Sequence, residues 1–243
     1  MLITGARLLD GTIADVRVGA TITDVGELTA RPGEDVLDAG GGTVIPGLHD
    51  HHVHLRAAAA ALGSVHVGPP AVRTAEAMRT VLNQASPRPD GWIRAVGYHD
   101  GVAGELDRAR LDELSPHAPV RVQHRSGALW ILNSAALNRV GAAHHPDGRL
   151  FREDVALART EAPSFGELST RLAACGVTGV TDATPDYTDA DIEKFTRAGR
   201  SGELRQHLHC MAVAGTSPSD LVSIGPAKII LDDPALDLDA LTE

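Results

Sequence analysis

Residues 46–55 read Pro-Gly-Leu-His-Asp-His-His-Val-His-Leu, and no other stretch limits the fold of this chain as much. The preceding run, residues 42–47, has the pattern of a turn feeding a buried strand. Side chains on a strand alternate between faces, so His52 and His54, two apart, point the same way. Two imidazoles a few ångströms apart on one face make half of a transition-metal site. Chance competes with that reading, because the chain holds 12 histidines and His207 and His209 form a second such pair. A bare His-x-His is weak evidence. The same pair set directly after Pro-Gly-x-x-Asp-x is much stronger.

The residues before this strand, 1–43, read as short strands at 2–9, 14–18, 21–25 and 36–38. Asp10-Gly11, Gly26-Glu27, Pro32-Gly33 and Gly40-Gly41-Gly42 punctuate them. They are expected to form part of a small β-sandwich. From residue 44 onward strand and helix patterns alternate. Strands are expected at 44–55, 92–98, 120–124, 177–182, 205–213 and 227–231, and helices at 74–84, 133–140, 164–174 and 189–198. Ser164 and Glu167 have capping-box spacing, and Gly176 stands where that helix should stop. Such alternation predicts a parallel α/β architecture. With the histidine strand, it predicts an incomplete TIM-like (β/α) barrel over residues 44–243. A closed eight-stranded barrel takes about 250 residues, more than follow position 43, and segment 92–98 is a candidate for an insertion. The expectation is the N-terminal part of a larger, apparently truncated barrel.

Pro46, Gly47, Leu48, Asp50, His52 and His54 together resemble the first barrel strand of the amidohydrolase superfamily. Later segments resemble its type 3, or YtcJ-like, branch. Gly91-Trp92-Ile93-Arg94-Ala95-Val96-Gly97 is similar to that branch's Gly-Trp-Ile-x-Gly-x-Gly, with Ala95 at the middle glycine. Leu111-Asp112-Glu113-Leu114-Ser115-Pro116, Asn133-Ser134-Ala135-Ala136-Leu137 and Gly176-Val177-Thr178 through Asp182 resemble further motifs, in order along the chain. Ala128 departs from the pattern by standing where the branch commonly has a histidine that faces substrate.

The resemblance implies chemistry. One or two divalent metals, zinc first by donor preference, would lower the pKa of bound water and polarise a scissile carbonyl. His52 and His54 match two ligands. Lys228, in Gly225-Pro226-Ala227-Lys228-Ile229-Ile230, matches a lysine that carbamylation turns into an anionic oxygen ligand. The later histidines and the general-base aspartate have no counterparts and are expected beyond the chain end. His207 and His209 precede Lys228, the wrong order for those ligands, and read as incidental. Asp50 is expected to fix the strand or a ligand, and Asp182 to cap a helix or support the site. His49 and His51 are expected to face elsewhere or lie outside the ligand geometry. His124 and Trp130 are expected to line a substrate pocket, with core packing equally open for Trp130.

A net charge of −10 argues against nucleic acid or an anionic membrane as partner. Two cysteines are too few for a disulfide framework, no secretory signal is legible, and the longest apolar run, 57–62, cannot span a bilayer. These features point to the cytoplasm. P-loop, dinucleotide and nucleophile-elbow motifs are missing. The expected activity is metal-dependent hydrolysis of non-peptide carbon–nitrogen bonds in a small amide-like substrate. The rival expectation is an inactive remnant, or half of a split enzyme that needs a complementary C-terminal half or self-association.

Overall fold

The computed structural model describes residues 1–115, 118–151, 163–185, 187–212 and 215–228. Strands β1 (Leu2–Arg7), β2 (Ile13–Val18), β3 (Ile22–Gly26) and β4 (Val36–Asp38) form one sheet in the order β3-β2-β1-β4. Leu2, Ala6 and Val16 are buried, whereas Ile13, Ile22, Val25, Val36 and Leu37 stay exposed. A second layer, which a sandwich requires, is not seen among the described residues.

Arg17 ties this sheet to the loop before β4. Its Nε donates to Glu34 Oε1 at 2.8 Å and its Nη2 to Oε2 at 3.1 Å, while the Arg31 N–H donates to Oε2 at 3.0 Å. These donors, Arg17 first, hold the Glu34 carboxyl down at about 2. A carboxyl depressed in the folded state stabilises above its unfolded pKa, about 4.3, and loses that contribution as pH falls toward the folded value. In an acid titration, wild type should therefore lead Glu34→Gln in stability above pH about 4.5. The lead should shrink below that and vanish near pH 2. A gap that stays constant down to pH 2 would contradict the ion pair's role.

The chain then runs through β5 (Leu48–Val53) and α1 (Leu55–Leu62) into a second sheet. That sheet holds β6 (Val65–His66), β7 (Ile93–Tyr98), β8 (Val120–His124), β9 (Leu129–Leu132) and β10 (Arg149–Phe151), in the order β10-β9-β8-β7-β6. Ile93, Ala95, Val122 and Ile131 bury one face against Met78 and Leu82 of α2 (Ala75–Gln84). Leu111 and Leu114 of α4 (Arg108–Leu114), which follows the short α3 (Asp100–Ala103), complete that core. Asn133, 1% exposed, caps α5 (Ser134–Arg139) through Ala136. It also accepts from the Val120 N–H and donates to the Ser115 and Ala118 carbonyls, so one amide ties β8 to the helix. Segment 92–98 thus lies in a sheet apart from the histidine strand.

After α6 (Gly166–Ala174) come β11 (Val177–Asp182), α7 (Asp189–Arg200), β12 (His207–Cys210) and β13 (Val222–Ile224). With β5 these form a fully parallel sheet in the order β13-β12-β11-β5. Val180, Leu208, Cys210 and Val222 join Leu55, Leu168, Ile192 and Phe195 in one core beneath the helices. Between them on the strands, His49, Thr181, His209 and Ser223 give the other face a polar character. The sheet is open, and closure into a barrel is not seen among the described residues.

Two local expectations need correction. Ser164 and Glu167 form no capping box. Instead the Ser164 hydroxyl and the Phe165 N–H both donate to Glu203, at 2.7 and 2.6 Å, so a carboxylate just past the end of α7 holds the residues that lead into α6. The reciprocal cap belongs to Thr188 and Asp191 at the start of α7. Ala227 and Lys228 are not in a strand, and the rest of the strand expected at 227–231 lies outside the described residues. Gly176, at φ +76°, closes α6 as expected.

Candidate metal centre

His52 and His54 sit at the C-terminal end of β5, on the edge where parallel α/β sheets gather their functional groups. The strand is not regular there. Asp50 pairs with Val180 and Val53 with Asp182, so three steps on β5 oppose two on β11. The extra residue is a bulge at His51–His52, and bulges re-aim side chains. Val53 turns into the helix-covered core, which turns its neighbours His52 and His54 to the polar side. The bulge also undoes the simple alternation that sends His49 away from the pair. His49 Nε2 lies 2.8 Å from Thr181 Oγ1 on the polar face, and the His49 and His51 rings are 4.6 Å apart.

The His52 and His54 ring centroids are 5.5 Å apart, nearly perpendicular. The His52 N–H donates to Asp50 Oδ1 at 3.0 Å, so Asp50 holds the strand rather than offering itself as a ligand. His54 Nδ1 lies 2.9 Å from Thr184 Oγ1. Asp182 is fully buried. Its Oδ2 accepts from the Leu55 N–H at 2.9 Å and the Tyr187 hydroxyl at 3.0 Å, and its Oδ1 accepts from the Thr184 N–H at 3.0 Å. Lys228 Nζ donates to the Ala183 carbonyl at 2.8 Å, which sets it beside the same strand ends. Burial holds the His54 pKa below the ordinary imidazole value, opposed by Asp182 and reinforced by Lys228 and His52. That favours the neutral ring, the form that binds metal.

The donor set fits a divalent ion in part. Two imidazoles are close enough to share one ion, and the Nδ1 contact of His54 leaves its Nε2 available. Among the described residues no three His, Cys, Asp or Glu side chains converge on one point. Lys228 stands near the pair as an amine. His124 and Trp130 lie in the second sheet. His124 contacts Ser126, Tyr98 and His99, and Trp130, 6% exposed, stacks against the Arg94 and Arg121 guanidiniums. None of these contacts reaches His52, His54 or Lys228. Thr184 went unread in the sequence. Its signal is a hydroxyl two residues beyond a strand-ending aspartate, which is common in turns.

The mixed α/β fold with its parallel sheet is similar to that of solved metal-dependent hydrolases. It matches an uncharacterized metal-dependent hydrolase of Pyrococcus horikoshii OT3 with a TM-score of 0.64 at 14% identity, covering 87% of this chain and 48% of that one. An uncharacterized metal-dependent hydrolase of Pyrococcus furiosus gives 0.62 at 14% identity, covering 87% of this chain and 49% of that one. The chain belongs to the amidohydrolase family, which it matches over residues 35–235. It is also 30% identical, over 247 aligned positions, to the N-substituted formamide deformylase of Arthrobacter pascens, covering 86% of this chain and 43% of that protein. The chain thus spans about half the length of the relatives it matches. Among the described residues no helix is long and apolar enough to cross a membrane.

Proposed function

We propose that this chain carries the first metal-binding strand of a hydrolase that cleaves a non-peptide carbon–nitrogen bond, with an N-substituted formamide or a kindred amide as substrate. The carrying observation is the His52–His54 pair, set by a bulge at the strand's carboxyl end and oriented by Thr184. The substrate class leans on the formamide deformylase relative. A bound divalent ion, zinc by donor type, supplies Lewis acidity toward water and the amide carbonyl. His52 and His54 would hold it, and Lys228, if carbamylated, would add an anionic oxygen. Asp182 and Thr184 fix the frame behind His54. His124, at the carboxyl end of the central strand β8, is our candidate for contact with the unreactive part of the substrate, and Trp130 lies on the neighbouring strand β9.

In a second reading, a complementary C-terminal half or another copy of the chain supplies the remaining ligands and the general base. Among the described residues β5 and β13 end the parallel sheet with no further strand beside them, and such edges favour it. The test incubates the zinc-loaded protein with an N-alkyl formamide and with the matching acetamide. The expected result is equal release of formate and amine from the formamide, ended by a chelator. Formamide left intact by the zinc-, cobalt- and manganese-loaded protein, which sediments as a monomer, would overturn the enzymatic reading for this chain.

A further inference from the structure

Arg94 on β7 and Arg121 on β8 are register partners in parallel strands. Ile93, Ala95, Val120 and Val122 take the face packed against α2 and α4, so the two arginines share the other face. Both are buried, at 7% and 5% exposure. Arginines are almost never this buried unless they are paired. Arg94 Nη1 donates to Ser64 Oγ at 2.6 Å and Nη2 to Gln123 Oε1 at 3.5 Å, and neither acceptor is charged. The Trp130 ring lies 5.2 Å from the Arg94 guanidinium and 5.4 Å from that of Arg121, which also sits 5.5 Å from Trp92. An indole face attracts a cation but does not neutralise it. Burial first, then the charges of Arg121 and Arg88, bring the Arg94 pKa down to about 10. Asp90 favours the charge of Arg121, and its Oδ1 accepts the Trp92 N–H at 3.1 Å.

We propose that Arg94 and Arg121 form a binding site for a small oxyanion, a carboxylate or a phosphate. The guanidinium fork matches either anion with two parallel N–H···O bonds. Arg94 carries the argument. Its plane is held by stacking and its hydrogen-bond partners are neutral, so its charge is left to be balanced. An anion gains more at such a buried cation than at a solvated one, where water competes and screens. The way in lies beside Ser64, whose hydroxyl donates to the Ala60 carbonyl at 2.6 Å. Ala60 and Gly63, at the end of α1, line a cavity of about 200 Å³ together with Arg88, Ser164 and Glu167. Arg88 brings a third cation to this cavity, and the Glu167 carboxylate is already paired with Arg171 at 2.7 Å. The site uses neither His52 nor His54 and does not depend on the metal reading.

The test titrates inorganic phosphate and, separately, sodium formate into the ¹⁵N-labelled full chain at matched ionic strength, with sodium chloride as control. It follows the Nε–Hε resonances of Arg94 and Arg121 and the melting temperature. Wild type is expected to give a saturating shift with at least one of the two anions, and a melting temperature that rises with it. Saturation by phosphate alone marks a tetrahedral anion, by formate alone a planar carboxylate, and by both a site open to small oxyanions. Arg94→Met keeps an unbranched stem and removes the charge. Its affinity, read on Arg121 and on melting, should fall roughly 10–100-fold, the loss of a hydrogen bond to a charged group. Arg94→Lys, which keeps the charge without the fork, should fall between the two. A wild type that responds to phosphate and formate only as it does to chloride would overturn the proposal, with no variant needed. An Arg94→Met protein that binds as tightly as wild type would overturn it as well.

Discussion

Replacing His52 with alanine is expected to strip divalent metal from the protein while leaving its thermal stability within about 0.5 kcal/mol of wild type, the usual range for exposed positions. His52 is exposed, and its backbone N–H, which pins the bulge to Asp50, survives the substitution. What disappears is one of two imidazoles 5.5 Å apart. A chelating pair becomes a single ligand, so the loss in affinity should exceed the roughly 10–100-fold that removal of a ligand's supporting partner causes. Any hydrolysis that needs the ion should fall with it. Metal content after dialysis, read beside a melting curve, checks both halves. A variant that keeps its metal would remove His52 from the site.

Phe195→Ala should cost about 3–5 kcal/mol, the range for truncating a buried aromatic. Phe195 is 1% exposed at the centre of the core beneath the parallel sheet. Its ring lies 5.1 Å from Tyr187, edge-on, and 5.5 Å from Phe165, and the Arg56 guanidinium sits 5.4 Å above it. Aromatic pairs of this kind contribute about 0.5–1.5 kcal/mol each beyond their buried area. No neighbour is free to fill the hole, because Arg56 is held by Asp191 at 2.7 Å. Tyr187, which donates to Asp182, loses its packing wall, so metal affinity should weaken along with stability. Urea unfolding followed by fluorescence measures the first effect. A cost below 1 kcal/mol would mean that this core does not support the sheet as described.

The parts of this molecule that local pattern controls were legible in the sequence. The alternating runs of β1, β2, β7, β8 and β11 are where their periodicity puts them, and Thr74, Asn133 and Gly176 begin or end helices as their chemistry requires. The His52–His54 pair could be read because its spacing and its Pro-Gly-x-x-Asp lead are contiguous. What escaped depends on residues far apart in the chain. The bulge at His51–His52 is set by pairing with β11, more than 120 residues later, and it defeats strict alternation within β5. Glu203, not Glu167, holds the start of α6 because the fold carries its carboxylate to the Ser164 hydroxyl and the Phe165 N–H. The contacts of Asp182 with the Leu55 N–H and of Thr184 with His54 join two strand ends that only sheet formation brings together. The expected site residues divide in the same way: His52, His54 and Lys228 gather at one sheet edge, while His124 and Trp130 lie in another sheet.

X-ray absorption at the zinc edge of the zinc-loaded protein tests the central claim most directly. The account predicts nitrogen and oxygen neighbours at about 2.0–2.1 Å, with the outer-shell scattering of two imidazoles in wild type and one in His52→Ala. A first shell without imidazole scattering, or one unchanged in the variant, would contradict it.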